Sequence, residues 1–570
     1  MWKLREISRL LMFVWIYNFV KCENDSLSDI INNLSGQEYF NKYGHCSVSA
    51  SGLRDSYFVE GQLVKAILNG YKSLEEDRYD KRNAKDYTEL DGEIRKTLEI
   101  LIAARRTESA TKTPTNHPIN ALHFMRRIVF HLNPILNRIF TSKTLLKRNF
   151  YQDLSSVLDR YIREECSCWP TPSDLQVAVS GIARIINVYK IPKANISKGI
   201  IFNHTSINPM LLDEMIVLAQ ESNRKNYHSD VLEWAEFLLN NFESEIKNND
   251  NQFRNLVRMK AAALFNTKNE KEAINLLEEI IREKLFDNKL LERDLKFYKS
   301  KSEQDKVNAE NQNINLSNNS DLLCRENYNS SEYYNLRCFY RRIKKGWDRA
   351  KVELLNINPP IYKYYGVLND EDIYEVFNLV KTSKIKQHVY LEKGVLNANE
   401  KYAKEEAIFW DEDYDVMKSL SRQISHQTGL ETNNHKYNTR ISSSGPFKVI
   451  NYGIGGYEEL EVDYLAKVDE EKKKDVSVFG GDRLATWHYH LTDKIEGGRI
   501  VFPKVKMSLL LEQGTGLLWF NLLKNGTVNP LSEHMECPVA YGSKWVVKKF
   551  IHENGNMFTR KCYRKTASFF

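Results

Sequence analysis

Apolar residues recur at helical spacing through the first half of the chain and alternate with polar ones through the second. Val64, Ile67, Tyr71 and Leu74 follow a 3, 4, 3 spacing, one apolar stripe on an otherwise charged helix. Such a stripe suits either pairing with a second helix, as in a coiled coil, or packing within its own domain. Further amphipathic stretches predict helices over residues 120–138, 175–189, 211–222 and 231–242. Residues 259–265 and 273–281 read as a helix pair joined by the turn 266–269. Small Ala263 and Ala273 stand where the helices would cross, as in a tetratricopeptide unit.

At about Tyr298 the texture breaks. Residues 299–331 are rich in Lys, Asn, Ser, Gln and Glu and nearly lack apolar side chains, which predicts a flexible linker. After Cys338, short apolar or alternating runs at 447–452, 484–491, 499–502, 516–520 and 545–550, split by Gly and Pro, predict strands. The clearest is LATWHYHLT. Its alternation sets Thr486, His488, His490 and Thr492 on one face and Ala485, Trp487, Tyr489 and Leu491 on the other. A polar face inside a sandwich or barrel lines a ligand cavity. The fold class expected is therefore α+β and multidomain, a helical region followed by a β-rich one.

Composition narrows the setting. At 570 residues the chain is too long for one core. Its formal charge of +7 is spread among interleaved acids and bases, which argues against nucleic acid as a partner. Lys3, Arg5 and Arg9 precede an apolar run from Leu10 to Val20, the pattern of a secretory signal peptide over 1–22, with a signal anchor as the other reading. No later segment is apolar enough to span a bilayer. Beyond Cys22 there are Cys46, Cys166, Cys168, Cys324, Cys338, Cys537 and Cys562, an odd number. Cys324 and Cys338 flank a short polar loop, Cys537 and Cys562 the last strand region, and each couple is expected to form a disulfide. Glycosylation sequons at Asn24, Asn33, Asn195, Asn203, Asn315, Asn318, Asn329 and Asn525 agree with the secretory lumen. The terminal Ala-Ser-Phe-Phe is not an endoplasmic-reticulum retention signal.

Candidate chemistry centres on NYGIGGYEELEVDY, residues 451–464. A glycine-rich turn feeds an extended run that brings Glu461 and Asp463, two residues apart, to one face. His534 and Lys544, from later in the chain, would complete a site for a divalent metal and an anionic ligand. A zinc hydrolase built on His488 and His490 is a further reading, short of a third ligand.

These elements resemble the α-subunit of procollagen prolyl 4-hydroxylase, an Fe(II) and 2-oxoglutarate dioxygenase. The resemblance is carried by NYGIGG, RLATW, EGGRIVFP, EQGTGLLWFN, HMECPV, GSKWV and IHENG within 447–562, and more faintly by HPINALHFMRRIV (117–129) and ISKG (196–199). It implies an N-terminal helical, dimerisation-type domain (23–165) and a tetratricopeptide-like peptide-binding domain (170–296). A linker (297–335) and a catalytic double-stranded β-helix, or jelly roll (336–570), would follow. The implied reaction is hydroxylation of peptidyl proline in collagen-like chains in the lumen of the endoplasmic reticulum. Ascorbate would maintain the iron, and protein disulfide isomerase would be the β subunit.

Carried over by position, the resemblance makes Asp463 and His534 metal ligands, Lys544 the partner of the distal carboxylate of 2-oxoglutarate and His552 an assistant in cosubstrate binding. Thr486 and His490 would line the cosubstrate end, and Cys537–Cys562 would be a family disulfide. The first histidine of the family's His-x-Asp is Glu461 here, a substitute ligand, and a cosubstrate-contacting tyrosine is His490. In the substrate domain only Trp234 and Phe265 keep aromatic character at groove positions. Groove tyrosines fall at Asn223, Met259 and Ala262. Glu461 changes the charge of the site. An extra negative charge about 4 Å from a bound dianion costs about 4 kcal/mol at an effective dielectric near 20, roughly a thousandfold in affinity. The alternative to an active hydroxylase is therefore a weak or inactive family member acting as a peptide-binding or assembly subunit.

Overall fold

The computed structural model describes residues 50–76, 84–109, 111, 113–141, 153–154, 156–157, 169–283, 289–305, 317–325, 337–342, 349–389, 396–399, 404–465, 480–493 and 495–557. The expected signal peptide and Cys562 lie outside these. The chain is helical first and sheet-rich afterwards.

Helices Ala50–Glu76, Ala84–Glu108, Pro118–Arg127 and Pro172–Tyr189 share one core with those that follow to Asp305. Local chemistry sets their ends. Pro172 opens its helix behind Thr171, whose hydroxyl and the Asp174 carboxylate bond reciprocally to backbone N–H groups, and Lys190 closes it in the left-handed region. The stripe of Val64, Ile67 and Tyr71 is buried against its own chain, with Leu98 and Leu101 in the same core. The expected pair appears as Asp250–Asn266 and Glu270–Glu283, with Ala263 and Ala273 fully buried.

A two-strand hairpin, β1 (Ile200–Ile201) and β2 (His204–Thr205), sits within the helical part. The sheet-rich part contains β3 (Cys338–Arg342), β4 (Arg349–Ile357), β5 (Pro360–Tyr365), β6 (Leu396–Asn399), β7 (Lys404–Phe409), β8 (Ser444–Tyr452), β9 (Glu458–Glu461) and β10 (Arg483–His490). It continues with β11 (Glu496–Gly497), β12 (Ile500–Phe502), β13 (Met507–Leu509), β14 (Gly516–Phe520), β15 (His534–Glu536), β16 (Val539–Tyr541) and β17 (Lys544–His552). The large sheet runs β3-β4-β5-β14-β10-β17-β8-β7-β6; a smaller one runs β13-β12-β15-β9, and β11 pairs with β16.

Strand β10 shows why the sheets stack. Ala485, Trp487 and Tyr489 pack with Met417, Leu420 and Ile424 of helix Asp415–Thr428 and with Val376 and Val380 of helix Asp370–Val389. On the large sheet's other face, Ile361, Leu517 and Trp519 meet Ile500, Phe502 and Met507 of the small sheet. The expected alternation is thus present, and Thr486, His488 and His490 are buried as well.

Helix Pro172–Tyr189 joins the two halves. Arg184 Nη1 donates to the Gly455 carbonyl at 2.6 Å and the Tyr189 hydroxyl to the Pro538 carbonyl. Gly455 takes φ +62°, and a Cβ there would meet the Gly181 carbonyl oxygen at 2.4 Å, so the glycines of NYGIGG serve this close approach.

The disulfide expectation is corrected. Cys324 bonds to Cys537, not to Cys338, and the expected Cys537–Cys562 bond is thereby excluded. The reason is tertiary: helix Ser317–Arg325 packs on the small sheet, burying Leu323 and Cys324 with Val501, Met535 and Cys537, while Cys338 is exposed and free at the start of β3. Within the stretch expected to be a flexible linker, residues 317–325 are therefore helical and covalently fastened.

Candidate metal centre

The pairing of β9 with β15 sets His534 opposite Glu461, and Asp463 follows just beyond the end of β9. One ligand-type atom each from Glu461, Asp463 and His534 lies within 4.8 Å of the others. His534 Nε2 is 3.8 Å from Asp463 Oδ2 and 4.0 Å from Glu461 Oε1.

Supporting contacts aim these groups. The Ser532 carbonyl lies 3.0 Å from His534 Nδ1, which puts the proton on Nδ1 and leaves the Nε2 lone pair facing the carboxylates. Nε2 is buried and has no hydrogen-bond partner. Phe502 and Trp519 flank the ring, with centroids 5.6 and 4.9 Å away. Thr486 Oγ1 donates to Asp463 Oδ2 at 2.6 Å and accepts from Asn521 Nδ2 at 2.9 Å. Thr486, expected to line the cosubstrate end, thus holds the carboxylate of a candidate metal ligand. The Glu461 side chain is partly open to solvent (46%). Desolvation of its carboxyl, then the charges of Glu458 and Asp463, raise its pKa to about 7 against the opposing charge of Lys548. A buried, unpartnered imidazole nitrogen facing two carboxylates is a donor set that fits a divalent cation.

Behind the triad the same two sheets enclose a second set of charges. Lys544, on the inner face of β17, donates to Glu536 Oε2 at 2.5 Å and to the Gly498 carbonyl at 2.6 Å. Glu536 Oε1 lies 3.2 Å from His488 Nε2 and 3.5 Å from Lys548 Nζ. Lys548 also pairs with Glu458, whose other oxygen takes Lys404 at 2.5 Å. Lys404, Glu458, Lys548, Glu536 and Lys544 therefore form an alternating chain of five charges, all buried. Burial opposes ionisation of Glu536, but Lys544 and Lys548 hold its pKa well below the usual carboxylate range.

Sequence reasoning missed Glu536, Lys548, Glu458 and Lys404. Glu536 stands two residues after His534 and Lys548 four after Lys544, so strand periodicity alone would have drawn attention to both. His490 is buried at the end of β10, where burial first and then the Lys544 charge keep it neutral. His552 sits at the far end of β17 from Lys544, its backbone N–H donating to Ser443 and its carbonyl accepting from Asn556. Trp234 is fully buried and Phe265 nearly so, the latter stacked on Tyr298 at 4.5 Å. Both expected groove residues lie in the core of the helical part.

A family model described as the prolyl 4-hydroxylase α-subunit, N-terminal region, matches residues 52–203. Prolyl 4-hydroxylase subunit alpha-1 of Caenorhabditis elegans is 26% identical over 529 residues, covering 89% of this chain and 88% of its own. The subunit of the same name from Homo sapiens is 23% identical over 557 residues, covering 90% and 95%. That from Gallus gallus is 31% identical over 205 residues, covering 36% and 38%. A solved collagen prolyl hydroxylase of Paramecium bursaria Chlorella virus-1 aligns with 34% of this chain and 94% of its own, at 18% identity and a TM-score of 0.25. That score is too low to bear on the fold.

Proposed function

We propose that this chain, a divergent member of the prolyl 4-hydroxylase α-subunit family, hydroxylates prolyl residues of collagen-like peptides at the Glu461–Asp463–His534 centre. The observation that carries the reading is the unpartnered Nε2 of His534, turned towards two carboxylates within ligand distance of one cation. Fe(II) held there, with O2 and 2-oxoglutarate as cosubstrates and ascorbate as reductant, would supply the oxidising chemistry.

The protein's own part is binding and orientation. Asp463, His534 and Glu461 hold the metal, Glu461 giving up its proton to do so. Thr486 fixes the Asp463 carboxylate, the Ser532 carbonyl fixes the His534 tautomer, and Phe502 with Trp519 keeps water from the ring. In this reading the two stacked sheets are a double-stranded β-helix and the helix pairs from 170 to 296 a tetratricopeptide-like peptide site. A protein disulfide isomerase is the β subunit, the α subunits dimerise, and the assembly works in the lumen of the endoplasmic reticulum. Among the described residues no helix is long and apolar enough to cross a membrane.

The cosubstrate end fits less well than the metal end, because the lysine expected to receive a carboxylate already holds Glu536. The test is mass spectrometry of a (Pro-Pro-Gly)-type peptide incubated with full-length chain co-expressed with the disulfide isomerase. Added oxygen on proline is expected from the wild type and not from Asp463→Ala. Equal yields would overturn the reading and favour the alternative of a peptide-binding or assembly subunit.

A further inference from the structure

We propose that Glu536 is a built-in carboxylate occupying the anion-binding end of the cavity between the sheets, so that a dicarboxylate cosubstrate reaches Lys544 only by displacing it. The proposal rests on the function proposed above and concerns how its cosubstrate is selected.

Geometry carries it. Lys544 is 1% exposed, and Glu536 and the Gly498 carbonyl account for two of its three donor directions. The Tyr452 ring centroid lies 5.1 Å from the ammonium, and a Cβ at Gly498 would come within 3.2 Å of Lys544 Cδ. Its other oxygen, Glu536 Oε1, makes no hydrogen bond but lies 3.2 Å from His488 Nε2 and 3.5 Å from Lys548 Nζ, so the charge of Lys548 also favours Glu536 where it is. A second carboxylate entering beside an undisplaced Glu536 would meet a like charge at about 4 Å, a penalty on the order of a thousandfold in affinity. Removing Glu536 instead frees Lys544, while Lys548 keeps Glu458.

This arrangement is built from sequence outward. His534 and Glu536 leave β15 on the cavity side, opposite Glu461 and Glu458 of β9, with a bulge between them. Lys544 and Lys548 leave the inner face of β17 at strand period. The backbone register that assembles the metal ligands therefore also delivers a carboxylate to the neighbouring lysine.

The consequence is a loss of discrimination. A 2-oxo acid can chelate a metal through its keto-acid end, but the distal carboxylate of 2-oxoglutarate finds its lysine already neutralised. Full-length protein loaded with Mn2+, a redox-silent probe, would be titrated calorimetrically with 2-oxoglutarate and with 2-oxobutyrate, which lacks the distal carboxylate. Wild type is expected to gain nothing from the distal carboxylate, binding 2-oxoglutarate no tighter than 2-oxobutyrate to within about threefold, and weaker 2-oxoglutarate binding would equally support the proposal. Glu536→Ala is expected to favour 2-oxoglutarate by about tenfold or more, a gain that Glu536→Ala/Lys544→Ala abolishes.

Wild type already preferring 2-oxoglutarate by tenfold would overturn the proposal, and so would no gain in Glu536→Ala. If Glu536→Ala does not fold, Glu536→Gln serves in its place, and the wild-type ratio decides alone. Mn2+ titration without any acid reports separately on Glu461, Asp463 and His534. Its failure would count against the metal centre, whereas tight, discriminating cosubstrate binding on intact Mn2+ protein would count only against the role of Glu536.

Discussion

His534 and Glu536 stand two residues apart on one short strand, and their surroundings could hardly differ more. Around His534 the protein gathers two carboxylates and an imidazole nitrogen with no hydrogen-bond partner. Around Glu536 it gathers two lysines and a second histidine, and each charge meets an opposite one. The first set is short of a cation; in the second every charge has a counter-charge, although Glu536 Oε1 and the His488 ring nitrogens make no hydrogen bond. An incomplete buried set is costly until a ligand arrives, and a complete one resists ligands, because any newcomer must break a buried pair first.

The largest effect should come from breaking the complete set. Lys548→Ala leaves Glu536 and Glu458 each with one fewer cation in a buried site, and denaturant unfolding should show a loss of about 3–5 kcal/mol. A loss under about 1 kcal/mol would rank these charges with solvated surface pairs and weaken the contrast.

A buried histidine with its contacts met sharpens the comparison from another side. His117 caps helix Pro118–Arg127, its Nδ1 accepting from the Ile119 N–H at 3.2 Å, and burial first of all lowers its pKa to about 4. Unfolded, it would titrate near 6.5, so the native state holds fewer protons between these values. Stability is intact above that range and falls as pH drops from about 6.5 to 4, by about 3 kcal/mol at most. Chemical denaturation at pH 7 and 4.5 should show His117→Asn, which keeps a capping side chain without titrating, losing that share of the acid sensitivity.

At the incomplete set, His534→Gln should weaken Mn2+ binding by about a hundredfold or more, read by electron paramagnetic resonance. Its effect on metal-free stability should be small, since Nε2 has no partner to lose. Smaller still, Glu461→His should shift preference towards Zn2+ or Co2+ over Mn2+ by about tenfold, as imidazole replaces a carboxylate. An unchanged preference would mean that Glu461 does not ligate.

Much of the site was legible from local pattern. The alternation of LATWHYHLT foretold which side chains of β10 would share a face. Glu461 and Asp463 were found from their spacing, although Asp463 lies past the strand rather than in it. His534 and Lys544 needed a family resemblance to be ranked above other residues, because their partners are far away in sequence. Cysteine pairing went wrong for the same reason: nearness along the chain favoured Cys324 with Cys338, while burial on the small sheet favoured Cys324 with Cys537. Trp234 and Phe265 were aromatic in the right places, and only packing revealed them as core.

The amino-acid sequence by itself determined the order of helical and sheet-rich regions, the faces of β10 and the two carboxylates of the candidate metal centre. Each follows from a period of 3.6 or 2, which is a property of neighbouring residues. Tertiary structure alone decided that Lys544 meets Glu536, that Thr486 holds Asp463 and that Cys324 joins Cys537. Those choices depend on which strands pair, in which register, and on which charges find opposites when water is excluded.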